Sequence, residues 1–92
     1  MKQYLIDFTE ANTYVKLYEC LIRGLELPEW CGKNPDAIWD LLVGYVEYPA
    51  TITFFGLNNV SKELGNEMQI ITEMFDELVS YYEDGRVVVI KQ

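Results

Sequence analysis

Two aspartates and a tryptophan fall on one side of a predicted helix in the segment NPDAIWD, residues 34–40. At 100° per residue, Asp40 projects about 40° from Asp36, and Trp39 projects about 60° from Asp36 on its other side. The apolar side of the same helix lies opposite and carries Ile38, Leu41 and Leu42. Two carboxylates beside a large aromatic ring can pair with cationic groups of a partner molecule.

Asp40 is the residue of this pair that local structure does not explain. Asp36 lies in the first helical turn, where the helix dipole favours a carboxylate. Asp40 lies beyond that turn, is a poor helix former, and has a second aspartate four residues before it, an arrangement that costs about 0.2–0.5 kcal/mol. Residues whose local preferences oppose the fold tend to mark function. The alternative is a solvated acidic face with one half-buried tryptophan.

The surrounding segment is acidic and aromatic. Residues 26–47 contain one basic residue, Lys33, and five acidic residues: Glu26, Glu29, Asp36, Asp40 and Glu47. Both tryptophans of the chain and two tyrosines are in or next to this segment: Trp30, Trp39, Tyr45 and Tyr48. This combination is typical of a protein interface, because aromatic rings supply burial and charges supply steering and pairing.

Composition limits the classes of function. The 92 residues, half of them hydrophobic, predict one domain over residues 1–92. The net charge of −8 argues against nucleic acid or an anionic membrane as partner; it permits a basic protein partner or serves solubility alone. No apolar segment suits a signal peptide or a membrane span, so we expect a cytoplasmic protein. Without histidine, a phosphate loop or a metal-type cluster, we expect no enzyme, no cofactor and no metal site.

The two cysteines are too few to predict a disulfide framework. Cys20 falls on the apolar side of a predicted helix, where we expect a reduced, structural thiol. Cys31 falls in a predicted loop, and the sequence leaves open whether its thiol is reactive, since Lys33 is the only basic residue close to it in sequence.

Hydrophobic periodicity and turn residues predict the order β-α-α-β-α-α-β. The predicted strands cover residues 3–8, 50–55 and 86–91. The first helix starts at a cap on Asn12 or Thr13 and ends before Pro28. The second has Asn34 as its N-cap and Gly44 as its C′ residue. A short helix over 57–65 and a long one over 66–84 follow.

Strands separated by helical crossovers pair in parallel, so the sequence predicts an α/β fold with a three-stranded parallel sheet and about four helices. The last strand, RVVVIK, is a continuous apolar run and is therefore expected to be covered on both faces. The stripe of tyrosines and methionines on the last helix has core spacing, which favours packing against the sheet over an adaptor surface.

The segment LPEWCGKNPDAIWDLLVGYVEYP, residues 27–49, closely resembles the signature of the barstar family, the small intracellular inhibitors of secreted bacterial ribonucleases such as barnase. The resemblance extends more loosely over the whole chain, because its length and the order of its elements also match. It implies a barstar-like fold and a role as inhibitor of a basic, barnase-type ribonuclease, bound one to one. We expect the free protein to be a monomer, although the sequence leaves its oligomeric state open.

In that family, the second helix and the loop before it enter the nuclease active site, where carboxylates take the place of the RNA phosphate. The resemblance implies that Asp40 is the central phosphate mimic and Asp36 its companion. Trp30 stands where the family usually has a tyrosine, and Tyr45 stands where it has a tryptophan. The implied partner-binding residues are Trp30, Gly32, Asn34, Asp36, Trp39, Asp40, Tyr45, Glu47 and Glu77.

The chain also departs from the family pattern. A second supporting glutamate on the last helix has no secure match, since Tyr81 falls at that helical offset and Glu83 is only a candidate. Trp30 and Tyr45 change the size of two anchors. Two partner classes therefore stay open: a barnase-type ribonuclease, or a different basic toxin or partner protein that a barstar-like immunity module binds through the same surface.

Overall fold

The structure is a computed structural model that describes residues 1–92. Its elements are β1 (Lys2–Asp7), α1 (Tyr14–Gly24), α2 (Pro35–Gly44), β2 (Ala50–Phe55), α3 (Gly65–Tyr81) and β3 (Val87–Lys91). The three strands form one parallel sheet in the order β1-β2-β3. The predicted α/β fold and its three-stranded parallel sheet are confirmed, with three α-helices in place of about four.

The segment between β2 and α3 is where the predicted fourth helix is wrong. It contains two short 3₁₀ turns, Leu57–Asn59 and Lys62–Leu64, instead of one helix over residues 57–65. Val60 between the turns is extended, with φ of −69° and ψ of 131°, and the backbone N–H of Ser61 donates to the carbonyl of Ala11 at 3.3 Å. This bond to the loop after β1 replaces a helical hydrogen bond, and no continuous helix forms.

The sheet is covered on one face only. Side chains alternate along the strands, so that Ile6 and Ile52 are buried while Leu5, Val88 and Ile90 remain exposed. Both crossovers step across the sheet in the same direction, and right-handed crossovers then place all helices on the same side. The expectation that β3 is covered on both faces is therefore wrong. The apolar residues on the open face of β3 are β-branched, and such residues favour strands even where they are not covered.

The core lies between the covered face of the sheet and the helices. It contains 22 buried residues, all apolar or aromatic except two thiols. Phe54 is near its centre, with ring centroids 5.3 Å from Phe8 and 4.9 Å from Phe75 in edge-on contacts. The buried hydroxyl of Tyr18 donates to the Glu67 carboxylate and so joins α1 to α3. No helix combines the length and the apolar character that a membrane span requires.

Helix α1 begins and ends with defined caps. The Thr13 hydroxyl accepts a backbone N–H at its start, which selects Thr13 from the two predicted caps. At its end, Glu26 adopts a left-handed conformation (φ of 57°), and the Leu27 N–H donates to the Ile22 carbonyl at 2.9 Å. Helix α1 therefore ends before Pro28, as predicted, and the chain turns into the loop that leads to α2.

Gly24, the last residue of α1, touches the backbone of β1 and supplies a test of this packing. A Cβ built on Gly24 would lie 2.7 Å from the Ile6 Cα and 2.7 Å from the Leu5 carbonyl oxygen. We expect Gly24→Ala to lower the free energy of unfolding by about 1–3 kcal/mol, measured by urea denaturation. Gly44→Ala is the control, because Gly44 also ends a helix and an added Cβ there meets nothing within 4 Å. Equal stability of the two variants would contradict this close approach.

Candidate protein-binding site

The loop before α2 sets the start of that helix. The Asn34 side chain accepts a hydrogen bond from the Ala37 N–H at 2.9 Å, so the predicted N-cap is present. Gly32 packs against this cap, since a Cβ there would lie 3.0 Å from the Asn34 amide nitrogen. Gly32 and Asn34 thus fix where α2 begins, and Asp36 falls in its first turn.

The end of α2 differs from the prediction. Gly44 lies inside the helix and does not have the positive φ of a C′ glycine. Tyr45 is the C-cap residue, and its N–H donates to the Leu41 carbonyl at 2.9 Å. The prediction of Gly44 as a left-handed C′ residue is wrong, because side chains from outside the helix bind its last carbonyl groups.

Two tyrosine hydroxyls supply those bonds. Tyr48 donates to the carbonyl of Leu42 at 2.6 Å, and Tyr82, which follows α3, donates to the carbonyl of Val43 at 3.2 Å. The last four carbonyls of a helix have no partner within it, so both bonds satisfy groups that would otherwise need water. Burial raises the pKa of Tyr48 well above its ordinary value, so its hydroxyl remains a donor.

The two sides of α2 are separated as the helical projection predicts. Ile38 and Leu42 are fully buried, whereas Asp36 and Asp40 are exposed. Trp39 is half-buried, and its ring makes an edge-on contact with Tyr81 at a centroid distance of 5.7 Å. Trp39 is therefore a contact between α2 and α3 as well as part of the acidic side of α2.

A groove with a volume of about 340 Å³ runs between α2 and α3. Three of its lining residues carry carboxylates, Asp36, Glu73 and Glu77, and four are apolar, Pro35, Trp39, Ile70 and Met74. The structure thus brings Asp36, Trp39 and Glu77 together from the predicted set.

The set predicted from the sequence omits two residues that line the groove, Glu73 and Ile70. Glu73 lies four residues and Ile70 seven residues before Glu77, and residues at these spacings share one side of a helix. This spacing could have placed both residues beside Glu77 from the sequence alone.

No cation of the chain forms an ion pair with the three groove carboxylates or with Asp40, which is exposed on α2 but does not line the groove. The four ion pairs of the protein are Lys2–Glu26, Lys33–Glu19, Arg86–Asp84 and Lys91–Asp76. None includes Asp36, Asp40, Glu73 or Glu77, and Lys33 is drawn towards Glu19 at 3.6 Å. No group of three His, Cys, Asp or Glu side chains is arranged to hold a metal ion. The four carboxylates therefore remain available to cations of another molecule.

Asp40, the implied central carboxylate, lies on α2 outside the groove, and the predicted residues Trp30, Tyr45 and Glu47 flank α2 without lining the groove. Trp30, in the preceding loop, is 76% exposed, and Tyr45, after the helix, is 53% exposed. Glu47 is also exposed, and its N–H donates to the Tyr4 hydroxyl at 3.3 Å. Glu83, a candidate outside the predicted set, is exposed in the turn between α3 and β3. Large aromatic rings with this exposure, close to an acidic face, are typical of protein contact sites.

The Cys31 thiol is buried although the residue lies in a loop. The residue is 5% exposed, its thiol donates to the Gly32 carbonyl at 3.4 Å, and burial raises its pKa. The loop folds over the residue, and a buried thiol of raised pKa disfavours the reactive role that the sequence left open. Cys20 is equally buried, and both cysteines are free.

The fold and the exposed acidic and aromatic face of α2 have the character of a small protein-binding domain. The chain matches the Barstar (barnase inhibitor) family over residues 1–91, and it belongs to that family. A protein of Bacillus subtilis (strain 168) with the name "Putative ribonuclease inhibitor YrdF" is 26% identical over 91 residues, which cover 99% of this chain and 100% of that protein. The family resemblance of the sequence is confirmed.

The attachment of α2 at its end can be tested by removing one hydroxyl. We expect Tyr48→Phe to lower the free energy of unfolding by about 1–2 kcal/mol, because it leaves the Leu42 carbonyl without its donor in a partly buried position. Chemical denaturation measures the change. Tyr45→Phe is the matched control, since the Tyr45 ring is exposed and we expect no change beyond about 0.5 kcal/mol. A Tyr48→Phe protein as stable as the control would contradict this role.

The burial of Cys20 and Cys31 can be tested by the reactivity of their thiols. At pH 8 we expect both cysteines of the native protein to react with Ellman's reagent at least ~100-fold more slowly than free cysteine, because each thiol is buried and burial raises its pKa. Both should react fully in denaturant, which serves as the control. Rapid labelling of native protein, traced to Cys31 by peptide mass spectrometry, would show that the loop over Cys31 opens.

Proposed function

We propose that the protein inhibits a barnase-type ribonuclease by placing the acidic side of α2 in the nuclease active site, where Asp40 and Asp36 take the positions of substrate phosphates. One observation carries the proposal. Asp36 and Asp40 are exposed on a helix fixed at both ends, and neither has an ion-pair partner within the chain. Membership in the barnase-inhibitor family supports it.

The chemistry of the partner accounts for this arrangement. A ribonuclease binds a polyanion, so its cleft is lined by cationic groups. A carboxylate that leaves water is stabilised only where several charge-assisted donors replace the lost hydration, and a phosphate site already supplies them. The net charge of −8 favours fast association with a basic protein, and salt should weaken that association.

The fixed geometry of α2 favours tight binding. The helix keeps its position through the Asn34 cap and the tyrosine bonds, so little ordering is left to occur when the partner arrives. The exposed rings of Trp30 and Tyr45 lie beyond the two ends of α2, and in this proposal they contact the rim of the cleft and exclude water. Glu47 and Glu77 add charge at the edges of the same contact.

In this proposal the protein is a monomer that binds its nuclease one to one in the cytoplasm, as an immunity protein of the cell that makes the enzyme. Neither nucleic acid nor a membrane takes part. The inhibitor performs no reaction of its own, because blocking the cleft requires only that the acidic side of α2 stay in place.

Inhibition kinetics with barnase and an RNA substrate test the proposal. We expect one-to-one inhibition that is competitive with RNA, and Asp40→Asn should raise the inhibition constant by at least about 30-fold, because it leaves the nuclease cations without their counter-charge. The control is Asp76→Asn, which removes the same charge from the exposed surface of α3, where Asp76 pairs with Lys91 at 3.7 Å. We expect less than a twofold change there, roughly the effect of a single exposed ion pair.

Two results would contradict the proposal. Equal effects of Asp40→Asn and Asp76→Asn would mean that only net charge matters, and not the position on α2. A wild-type protein that leaves barnase fully active would point to a basic toxin or partner of another activity, bound through the same surface.

A further inference from the structure

Arg86, just before β3, is held at hydrogen-bonding distance by an acidic side chain. Its guanidinium donates to the Asp84 carboxylate through Nη2 at 2.7 Å and through Nε at 3.0 Å, and its backbone N–H donates to the same carboxylate at 3.2 Å. The other three ion pairs of the protein are longer, at 3.6 or 3.7 Å. The Arg86 carbonyl also accepts the Ala50 N–H at 2.8 Å, which ties the residue to the sheet. A guanidinium held in this way loses little freedom when it makes a further contact.

The ring of Tyr82 is that further contact. The guanidinium carbon of Arg86 lies 5.1 Å from the centre of the Tyr82 ring, a distance at which a cation is attracted to an aromatic face. The Tyr82 hydroxyl donates to the carbonyl of Val43 in the last turn of α2 at 3.2 Å. Tyr82 therefore lies between a fixed cation and the end of α2.

Tyr82 needs such a contact because α3 does not continue through it. It is the residue after the end of α3, with ψ of 85°, and its side chain is only half-buried. Its bond to Val43 is longer than the roughly 2.7–2.8 Å that is most common for a hydroxyl donor and an oxygen acceptor. The hydroxyl bond alone is therefore a weak attachment, and the cation on the ring adds to it.

We infer that Arg86 is a positioning residue for α2. Held by Asp84, it keeps the Tyr82 ring against the last turn of that helix. Tyr82 also contacts Tyr81, which contacts Trp39 on the acidic side of α2, so the same cation supports the Trp39 ring. The inference rests on the proposed function for its consequence in partner binding, although not for the contact with α2. The alternative is an ion pair that only closes its own turn.

The expected consequence for binding is slower release of the partner. Encounter with a basic protein depends on net charge and is little affected by the exact position of one helix turn. Release depends on how firmly the contacting groups keep their bound positions, since each group that must be ordered again weakens the complex.

Hydrogen exchange followed by NMR tests the contact without any nuclease. Arg86→Gln removes the cation from the Tyr82 ring. Lys91→Gln is the matched control, since it removes the same charge from β3 and breaks one ion pair, but Lys91 lies over no aromatic ring. The amides of Tyr45 and Val46 donate to a carbonyl in the last turn of α2. We expect them to exchange at least about threefold faster in Arg86→Gln than in the control.

The Ala37 amide is the internal reference, because it donates to the Asn34 cap at the other end of α2. We expect its exchange rates in the two variants to agree within about twofold. Equal acceleration at Ala37 and Tyr45 would mean that Arg86→Gln destabilises the whole protein. Equal Tyr45 rates in the two variants would mean that the ion pair only closes its turn. Either result would overturn the inference.

Release kinetics with barnase test the consequence for binding. Arg86→Gln should raise the dissociation rate constant at least about threefold above that of Lys91→Gln, with association rate constants within about twofold because the two variants have the same net charge. If Asp40→Asn weakens inhibition and the two variants release barnase at equal rates, the proposed function stands and this inference fails. If wild-type protein does not bind barnase, the proposed function fails, and the exchange rates alone decide whether Arg86 positions α2.

Discussion

Helix α2 is fixed at both ends by groups from neighbouring parts of the chain, and the direction of its carboxylates depends on that attachment. Asn34 binds its first turn, and hydroxyls of Tyr48 and Tyr82 bind its last turn. Between these ends, Ile38 and Leu42 are fully buried, which contributes about 1.5–3 kcal/mol for each side chain. The like-charge pair on the opposite side costs only about 0.2–0.5 kcal/mol. The helix can therefore hold two exposed carboxylates that its own preferences oppose.

The support of α2 continues into α3 through aromatic contacts. Ring centroids are 5.7 Å apart from Trp39 to Tyr81, 4.9 Å from Tyr81 to Tyr82, and 5.0 Å from Tyr82 to Tyr48. Edge-on and tilted contacts of this kind add to the apolar burial of the rings. The four rings form a continuous chain of contacts that joins α2 to the end of α3, and the Trp39 ring at one end of this chain lines the groove. A partner thus meets a surface that is already formed, which reduces the ordering cost of binding.

The sequence was sufficient to predict the α/β class, the parallel sheet and the position of α2, because these follow from periodicity and from local caps such as Thr13 and Asn34. The errors came from long-range contacts. Ser61 bonds to Ala11 and interrupts the predicted helix over 57–65, and tyrosines from outside α2 make a left-handed Gly44 unnecessary. The open face of β3 follows from the direction of both crossovers, which strand composition does not reveal.

In the candidate site, too, local features were predictable from the sequence, whereas features that depend on long-range contacts were not. The acidic side of α2 is visible in the spacing of Asp36 and Asp40, since both belong to one helix. The contribution of Glu73 and Ile70 requires that α3 pack beside α2, and only the structure supplies that information. Cys31 was placed correctly in a loop, but its burial depends on how that loop folds over the core.

The central claim is that charge on α2 and α3 drives binding to a basic nuclease. The most direct measurement is a calorimetric titration of the wild-type protein into barnase at low and at high salt. The account predicts one-to-one binding whose dissociation constant rises markedly with salt, because exposed carboxylates lose their attraction as ions screen them. Binding that is independent of salt would contradict the account, and would direct attention to the open apolar face of the sheet around Leu5, Val88 and Ile90.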